Sequence, residues 1–233
     1  MIAEALAAGL LLGAAPDAAA ADERRFVLGR SHEGRRIVVH RRGDFDSPQK
    51  ILVVGCIHGN ECEGTRITRR LARGPLPSGL DLWIVHRLNP DGHRRGVRQN
   101  ARGVDLNRNF GAQWIPIGSR WDPYYSGPRR WSERETRLAR ELVLRARPDV
   151  TIWYHQPQAV VRAWGRSRTM ARRYARLARE PYASLRWPNG SAPNWQNHRF
   201  RRPFSFVVEL PAGTISDARA ARHARAVRRL LTP

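Results

Sequence analysis

"ILVVGCIHGNECEG", residues 51–64, governs how the rest of the chain is read. Ile51 to Ile57 is almost continuously apolar, the pattern of a strand buried on both faces of a sheet. The turn that follows carries His58, Glu61 and Glu63 among two cysteines, Cys56 and Cys62, and residues 62–73 then read as a helix. Strand, polar turn and helix in that order form the unit of open α/β sheets, whose ligands bind beyond the carboxyl ends of the strands. The turn itself has three readings: a metal site, a disulfide staple, or a polar turn after a strand.

Working outward, the same alternation recurs. Ile37-Val38-Val39 reads as an opening strand after Gly34, and "LDLWIVHRL" (80–88) as another, followed by a long Asn/Gly/Arg-rich loop to about residue 130. Ser132 and Glu135 have the spacing of a capping box. The helix they would open places Ala139, Leu142, Val143 and Ala146 on one face and stops before Pro148. "DVTIWYH" (149–155) and "FSFVVEL" (204–210) are strands, 167–180 is helical, and Ser216 starts a last helix with Ala220, Ala224, Val227, Leu230 and Leu231 inward. The expected architecture is an α/β sheet, at least partly parallel.

The polar residues can be tested against the predicted strand ends. His58 follows the strand ending at Ile57, Asn89 follows the one ending at Leu88, His155 closes "TIWYH" and Glu209 closes "FSFVVE". All four fall on one edge. Two histidines and two glutamates there match a His2Glu zinc site, formed by His58, Glu61 and His155, plus a spare carboxylate, Glu209. One zinc ion so held keeps a position open for water. The remaining histidines, His32, His40, His86, His93 and His198, have no ligand spacing, and His223 lies on an apolar helix stripe as a core histidine would.

The sequence also resembles the zinc carboxypeptidases of the carboxypeptidase A type, in particular their short bacterial branch, the murein peptide amidases. The resemblance rests on "HGNE" (58–61), "NPDG" (89–92), "RQNARGVDLNRNF" (98–110), "YYSGPRRWSERET" (124–136), "YHQP" (154–157) and "WQNHRFRRPFSFVVELPAG" (195–213). It implies a mixed, mostly parallel twisted sheet of about eight strands with helices on both faces. It implies zinc ligation by His58, Glu61 and His155, and Glu209 as the carboxylate that takes a proton from the attacking water and returns it to the departing amine. Arg98 would assist at the oxyanion, while Asn107 and Arg108 would clamp the substrate's terminal carboxylate. One departure concerns the tyrosine that such enzymes usually offer from the loop before the last strand. Here "EPYASLRWPNGSAPNW" (180–195) presents Tyr182 and Trp187 without a clear register, and neither receives a role.

The function expected is hydrolysis of a terminal amide bond, in a cell-wall peptide between γ-D-glutamate and meso-diaminopimelate. Two alternatives stand beside it. The aspartoacylase and succinylglutamate desuccinylase group shares "HGNE" and a "DLNR" segment and removes acyl groups from amino acids, although "NPDG" and "VVELPAG" suit peptidases better. A basic wall-binding protein with a vestigial metal site is the other, and the full set of ligands, Arg98 and Glu209 speaks against it.

Composition bounds the partners. The 233 residues carry a formal charge of +22, and Lys50 is the only lysine. Such a charge favours non-specific contact with anionic wall polymers. The arginines are scattered over every segment rather than gathered into an aromatic-interleaved stripe, so no nucleic-acid footprint is present. Residues 1–21 contain an apolar stretch, Ala5 to Ala15, too short to span a bilayer and readable as a signal peptide or a disordered leader. Residues 22–233 form one zinc peptidase domain on this reading, exported to the periplasm, the wall or the medium. Cys56 and Cys62 then form either a buried thiol pair or a bridge.

Overall fold

A computed structural model describes residues 22–201 and 204–232; the expected leader, 1–21, lies outside them. Eight strands form one sheet: β1 (Asp22–Arg30), β2 (Arg36–Gly43), β3 (Lys50–Val54), β4 (Asp81–Val85), β5 (Val150–His155), β6 (Gln158–Ala163), β7 (Tyr182–Ser184) and β8 (Phe204–Pro211). Their spatial order is β1-β2-β4-β3-β5-β8-β6-β7. The central run β4-β3-β5-β8 is parallel. β2 is antiparallel to both β1 and β4, and β6 is antiparallel to β8 but parallel to β7. The mixed, mostly parallel sheet expected from the resemblance is thus the observed one.

The centre is parallel because its strands are apolar on both faces. Ile51 to Val54 of β3 and all six residues of β5 are buried, and each aliphatic side chain so placed contributes about 1.5–3 kcal/mol. Adjacent residues of β5 show what covers each face. Trp153 points to an aromatic cluster with Phe110, which in turn meets Trp131 and Trp195. Tyr154 points the other way and bonds Tyr174, whose hydroxyl reaches His223. Trp195 belongs to α5 (Ala192–Arg199), Tyr174 to α4 (Arg168–Ala178) and His223 to α6 (Asp217–Arg228). Helices therefore cover both faces.

The remaining helices are α1 (Gly64–Leu71), α2 (Pro90–Arg95) and α3 (Arg134–Ala146). Several expected elements differ. The strand read as 51–57 ends at Val54, because Gly55 takes the chain out of the sheet: a Cβ there would meet the His86 carbonyl oxygen at 2.9 Å and the Gly64 backbone. Cys56 and Ile57 stay buried in the loop, so apolarity alone overextended the strand. The helix read as 62–73 spans Gly64–Leu71, and a Cβ on Gly64 would meet the Gly55 carbonyl oxygen and the Tyr154 side chain.

The capping box is not formed. α3 begins after Glu133, which makes no side-chain cap. Ser132 Oγ instead donates to Glu133 Oε1 and accepts from Asn109 Nδ2. Glu135 is drawn inward to accept from the His32 amide and from Asn100 Nδ2, so tertiary partners outcompete the local cap. By contrast Ser216 does cap α6, accepting from the Arg219 amide, and His223 is the core histidine expected.

Candidate active site

The carboxyl ends of β3, β5 and β8 open into a cleft of about 510 Å³. His58 arrives from the loop after β3, His155 is the last residue of β5, and Glu209 pairs with His155 across the β5–β8 ladder. His58 Nδ1 lies 2.9 Å from Glu61 Oε2, His155 Nδ1 lies 3.0 Å from the same oxygen, and the two Nδ1 atoms are 3.1 Å apart. Tetrahedral zinc with bonds of about 2.0–2.1 Å sets its donors roughly 3.3 Å apart. The triad has that size, and its nitrogens and carboxylate are the donor types zinc takes. The residues present fit the metal.

The loop that delivers His58 and Glu61 is built for close approach. A Cβ on Gly59 would collide with the backbone of Gly92, at the first turn of α2. Asn89 caps that helix by accepting from the Gly92 amide, and its Nδ2 donates to the carbonyls of Arg98 and Gln99. Asn89, at the edge the sequence pointed to, thus braces the segment that carries Arg98 and does not line the cleft. Cys56 and Cys62 are joined in a disulfide with Cα atoms 4.7 Å apart, which resolves the choice left open between bridge and thiols. Their sulfurs also lie near His93, but the bridge occupies both.

Asp105, a residue without a role in the sequence reading, holds the site from beneath. Its Oδ1 accepts from His58 Nε2 at 2.9 Å and from the Asn107 amide at 2.8 Å, while Oδ2 accepts from Arg98 Nε and Nη2. A proton on His58 Nε2 leaves Nδ1 as the lone-pair nitrogen that faces the triad. Burial works against charge on both Glu61 and Asp105. The adjacent His58 and its hydrogen bonds outweigh burial, with His155 helping at Glu61 and Arg98 at Asp105, and hold both carboxyls well below the usual carboxylate range. Asp105 sits inside "GVDLNRNF", where an acid one residue before a turn was the only available signal.

Arg98 is ringed by oxygen. Nη1 donates to Glu61 Oε1 at 2.5 Å, Nη2 to Asp105, and Nε is shared between Asp105 and the Pro123 carbonyl. One N–H on each η nitrogen remains for the cleft. Arg108 donates to the Asn107 carbonyl and, among the described residues, has no carboxylate within ion-pair distance. Both guanidiniums sit over the ring of Tyr124, at 5.4 and 5.2 Å from its centre. Asn107 lies beside His155, with Nδ2 at 3.4 Å from Nε2, and its Oδ1 accepts from the Ala192 amide.

Glu209 stands apart from these pairings. It is 9% exposed, and its Oε2 is buried without a hydrogen-bond partner among the described residues. A lone carboxylate oxygen facing a cleft is free to exchange a proton with whatever enters. All seven residues selected from the sequence, His58, Glu61, Arg98, Asn107, Arg108, His155 and Glu209, line this one cavity. Trp187 lines it too, whereas Tyr182 lies on β7 beneath the Arg172 guanidinium.

Comparison with known proteins adds to this geometry. A family model for zinc carboxypeptidases matches residues 20–186. Murein peptide amidase A of Escherichia coli strain K12 is 30% identical over 156 residues, which cover 60% of this chain and 64% of the amidase, less than two thirds of its length. Metallocarboxypeptidase A of Trichophyton rubrum is 32% identical over 124 residues, 41% of this chain and 29% of that protein. Among solved structures, carboxypeptidase A from Helicoverpa armigera shares the fold with a TM-score of 0.76 at 19% identity, over 88% of this chain and 67% of that one. Murein-tripeptide amidase MpaA from Escherichia coli O157 gives a TM-score of 0.70 at 26% identity, over 89% of this chain and 91% of that one.

Proposed function

This chain belongs to the zinc carboxypeptidase family, and on that premise we propose that it hydrolyses a terminal amide bond in murein peptides, between γ-D-glutamate and meso-diaminopimelate. The observation that carries the reaction is the meeting of His58 Nδ1, Glu61 Oε2 and His155 Nδ1 within about hydrogen-bond distance of one another, in the cleft where Glu209 Oε2 stands unpartnered. The substrate reading is supported by the likeness to the two amidases, one of which matches over nine-tenths of its length in structure.

Zinc held by His58, Glu61 and His155 would supply a water of lowered pKa and polarise the scissile carbonyl. Glu209 takes the proton of the attacking water at Oε2 and delivers it to the departing amine nitrogen. Arg98, with its remaining N–H groups, donates to the oxygen on which negative charge develops. Asp105 keeps His58 in the tautomer that binds metal and at the same time fixes Arg98. Arg108, lacking an acidic partner of its own, offers its fork to the substrate's terminal carboxylate, and Asn107 stands next to it. Export belongs to the same proposal: a disulfide across the metal-binding loop suits an oxidising compartment, where murein peptides are met.

Incubation of the zinc-loaded protein with L-Ala-γ-D-Glu-diaminopimelate tests the substrate. The proposal expects free diaminopimelate. Release from ordinary carboxyl-terminal peptides alone would place the chain with general carboxypeptidases, and activity confined to N-acyl amino acids with the deacylases.

A further inference from the structure

Three buried polar donors on the far wall of the cleft are not used by this mechanism. Arg162 Nε, Trp187 Nε1 and Ser191 Oγ are each buried without a hydrogen-bond partner among the described residues, and all three residues line the same cavity as Glu209. Buried polar atoms in folded proteins are nearly always paired. Of the eleven unpaired atoms of this kind among the described residues, these three donors belong to residues lining one cavity, where a ligand that brings acceptors could pair them.

The sheet register aims Arg162 into this space. In the antiparallel β6–β8 pair Val160 lies opposite Glu209 and Arg162 opposite Val207. Cross-strand partners share a face, so Arg162, Val207 and Glu209 all project to the cleft side. Two residues of strand separate the Arg162–Val207 pair from Glu209, about 7 Å. A residue whose amide bond lies at Glu209 would extend its side chain to Arg162 over that distance.

The charges around the cavity select the kind of side chain. Among the described residues its lining carboxylates are Glu61 and Glu209, and Glu61 is committed to His58, His155 and Arg98. Among the described residues no acidic group pairs with Arg162 or with Arg186, a second arginine on the same wall. Val207, Leu185 and Pro193 give that wall an apolar lining, which strengthens a charge-assisted bond and penalises an unpaired guanidinium.

We propose that this wall is a subsite for a side-chain carboxylate on the released terminal residue, with Arg162 as its specificity-determining residue and Trp187 Nε1 and Ser191 Oγ as supporting donors. The proposal rests on the amide-hydrolase reading for the position of the terminal residue and adds which terminal residues are taken. Aspartate, glutamate and the distal carboxylate of diaminopimelate share the required chemistry. Alanine or leucine leaves the half-buried Arg162 unpaired, and lysine, unlike diaminopimelate, brings an ammonium with no carboxylate beside it.

The test compares kcat/KM for L-Ala-γ-D-Glu-X, with X diaminopimelate, glutamate, leucine or lysine, and measures binding of the four free amino acids by calorimetry. The wild-type chain is expected to favour diaminopimelate and glutamate over leucine at least about tenfold, the worth of one hydrogen bond to a charged group, with lysine poorest. Diaminopimelate above glutamate would identify the wall-derived residue as the fitted ligand, and equality would identify any acidic side chain. Arg162→Leu should abolish the preference while leucine release persists; Arg162→Lys, which keeps the charge, should retain part of it. Arg69→Gln, an exposed change on α1, should keep the wild-type ratios and so separates this site from the overall charge. Equal rates on glutamate and leucine, or an unchanged ratio in Arg162→Leu, would overturn the subsite. If no peptide is cut, yet the acidic amino acids bind only when Arg162 is present, the amidase reading fails while the subsite stands.

Discussion

Glu209 lines the cleft and Asp105 lies buried beneath it, and their surroundings suit them to opposite duties. Glu209 has a buried oxygen with nothing attached to it, whereas every oxygen of Asp105 is taken by His58, Arg98 or the Asn107 amide. A group that shuttles protons needs the first environment, and a group that orients others needs the second. Glu209→Gln should therefore lower kcat by at least roughly a hundredfold, with one zinc still bound per chain by metal analysis. Wild-type turnover in that variant would remove Glu209 from proton transfer. Asp105→Asn should instead weaken zinc by about ten- to a hundredfold, read in competition with a chromogenic chelator. Unchanged affinity would mean that Asp105 serves Arg98 alone.

At the scale of elements, a buried polar chain ties the strand that bears His155 to the helices behind it. Tyr154 bonds Tyr174 at 2.6 Å, Tyr174 bonds His223 at 2.8 Å, and His223 Nε2 meets Glu180 Oε1 at 3.1 Å, which Arg219 also grips. Burial disfavours the Glu180 charge, but His223 and Arg219 overcome it and lower its pKa from 4.5 to about 2. Because the folded-state pKa is depressed, this stabilisation is complete above pH 4.5 and is lost as the pH falls towards about 2. Glu180→Gln should cost about 1.5–3 kcal/mol at pH 7 in urea unfolding, and the gap to wild type should close across that window. A gap independent of pH would mean that packing, not charge, is what Glu180 supplies. The same elements show what sequence could and could not reveal. β3, β5 and β8 were legible because they are apolar on both faces, and their ends located His58, His155 and Glu209. β1, with its run "DERR", and β6, where Arg162 faces the cleft, lack that pattern: as edge-side strands they meet solvent or ligand on one face. α2 was missed although Asn89, Pro90 and Gly96 mark its two ends, because six residues hold too little periodicity to register. Arg162, Trp187 and Ser191 come together only through the β6–β8 pairing and the chain that follows β7, a juxtaposition with no local signature.

For the whole molecule, the fold places its chemistry at the carboxyl edge of a parallel core and lets peripheral strands shape access to it. Antiparallel β6 is the element that turns a metal-binding edge into a walled cleft, and it also brings Arg162 to the cavity. A net charge of +22 favours non-specific contact with anions at low salt, whereas the proposed selectivity rests on the cations of the cleft that lack acidic partners among the described residues. Metal content and diaminopimelate release from L-Ala-γ-D-Glu-diaminopimelate, followed on one sample through chelation and zinc restoration, test the central claim most directly. One zinc per chain, activity lost with the metal and recovered with it, and no recovery in His155→Ala are the predicted results. Release that continues in the metal-free protein, or a fully zinc-loaded protein that leaves the tripeptide intact, would contradict it.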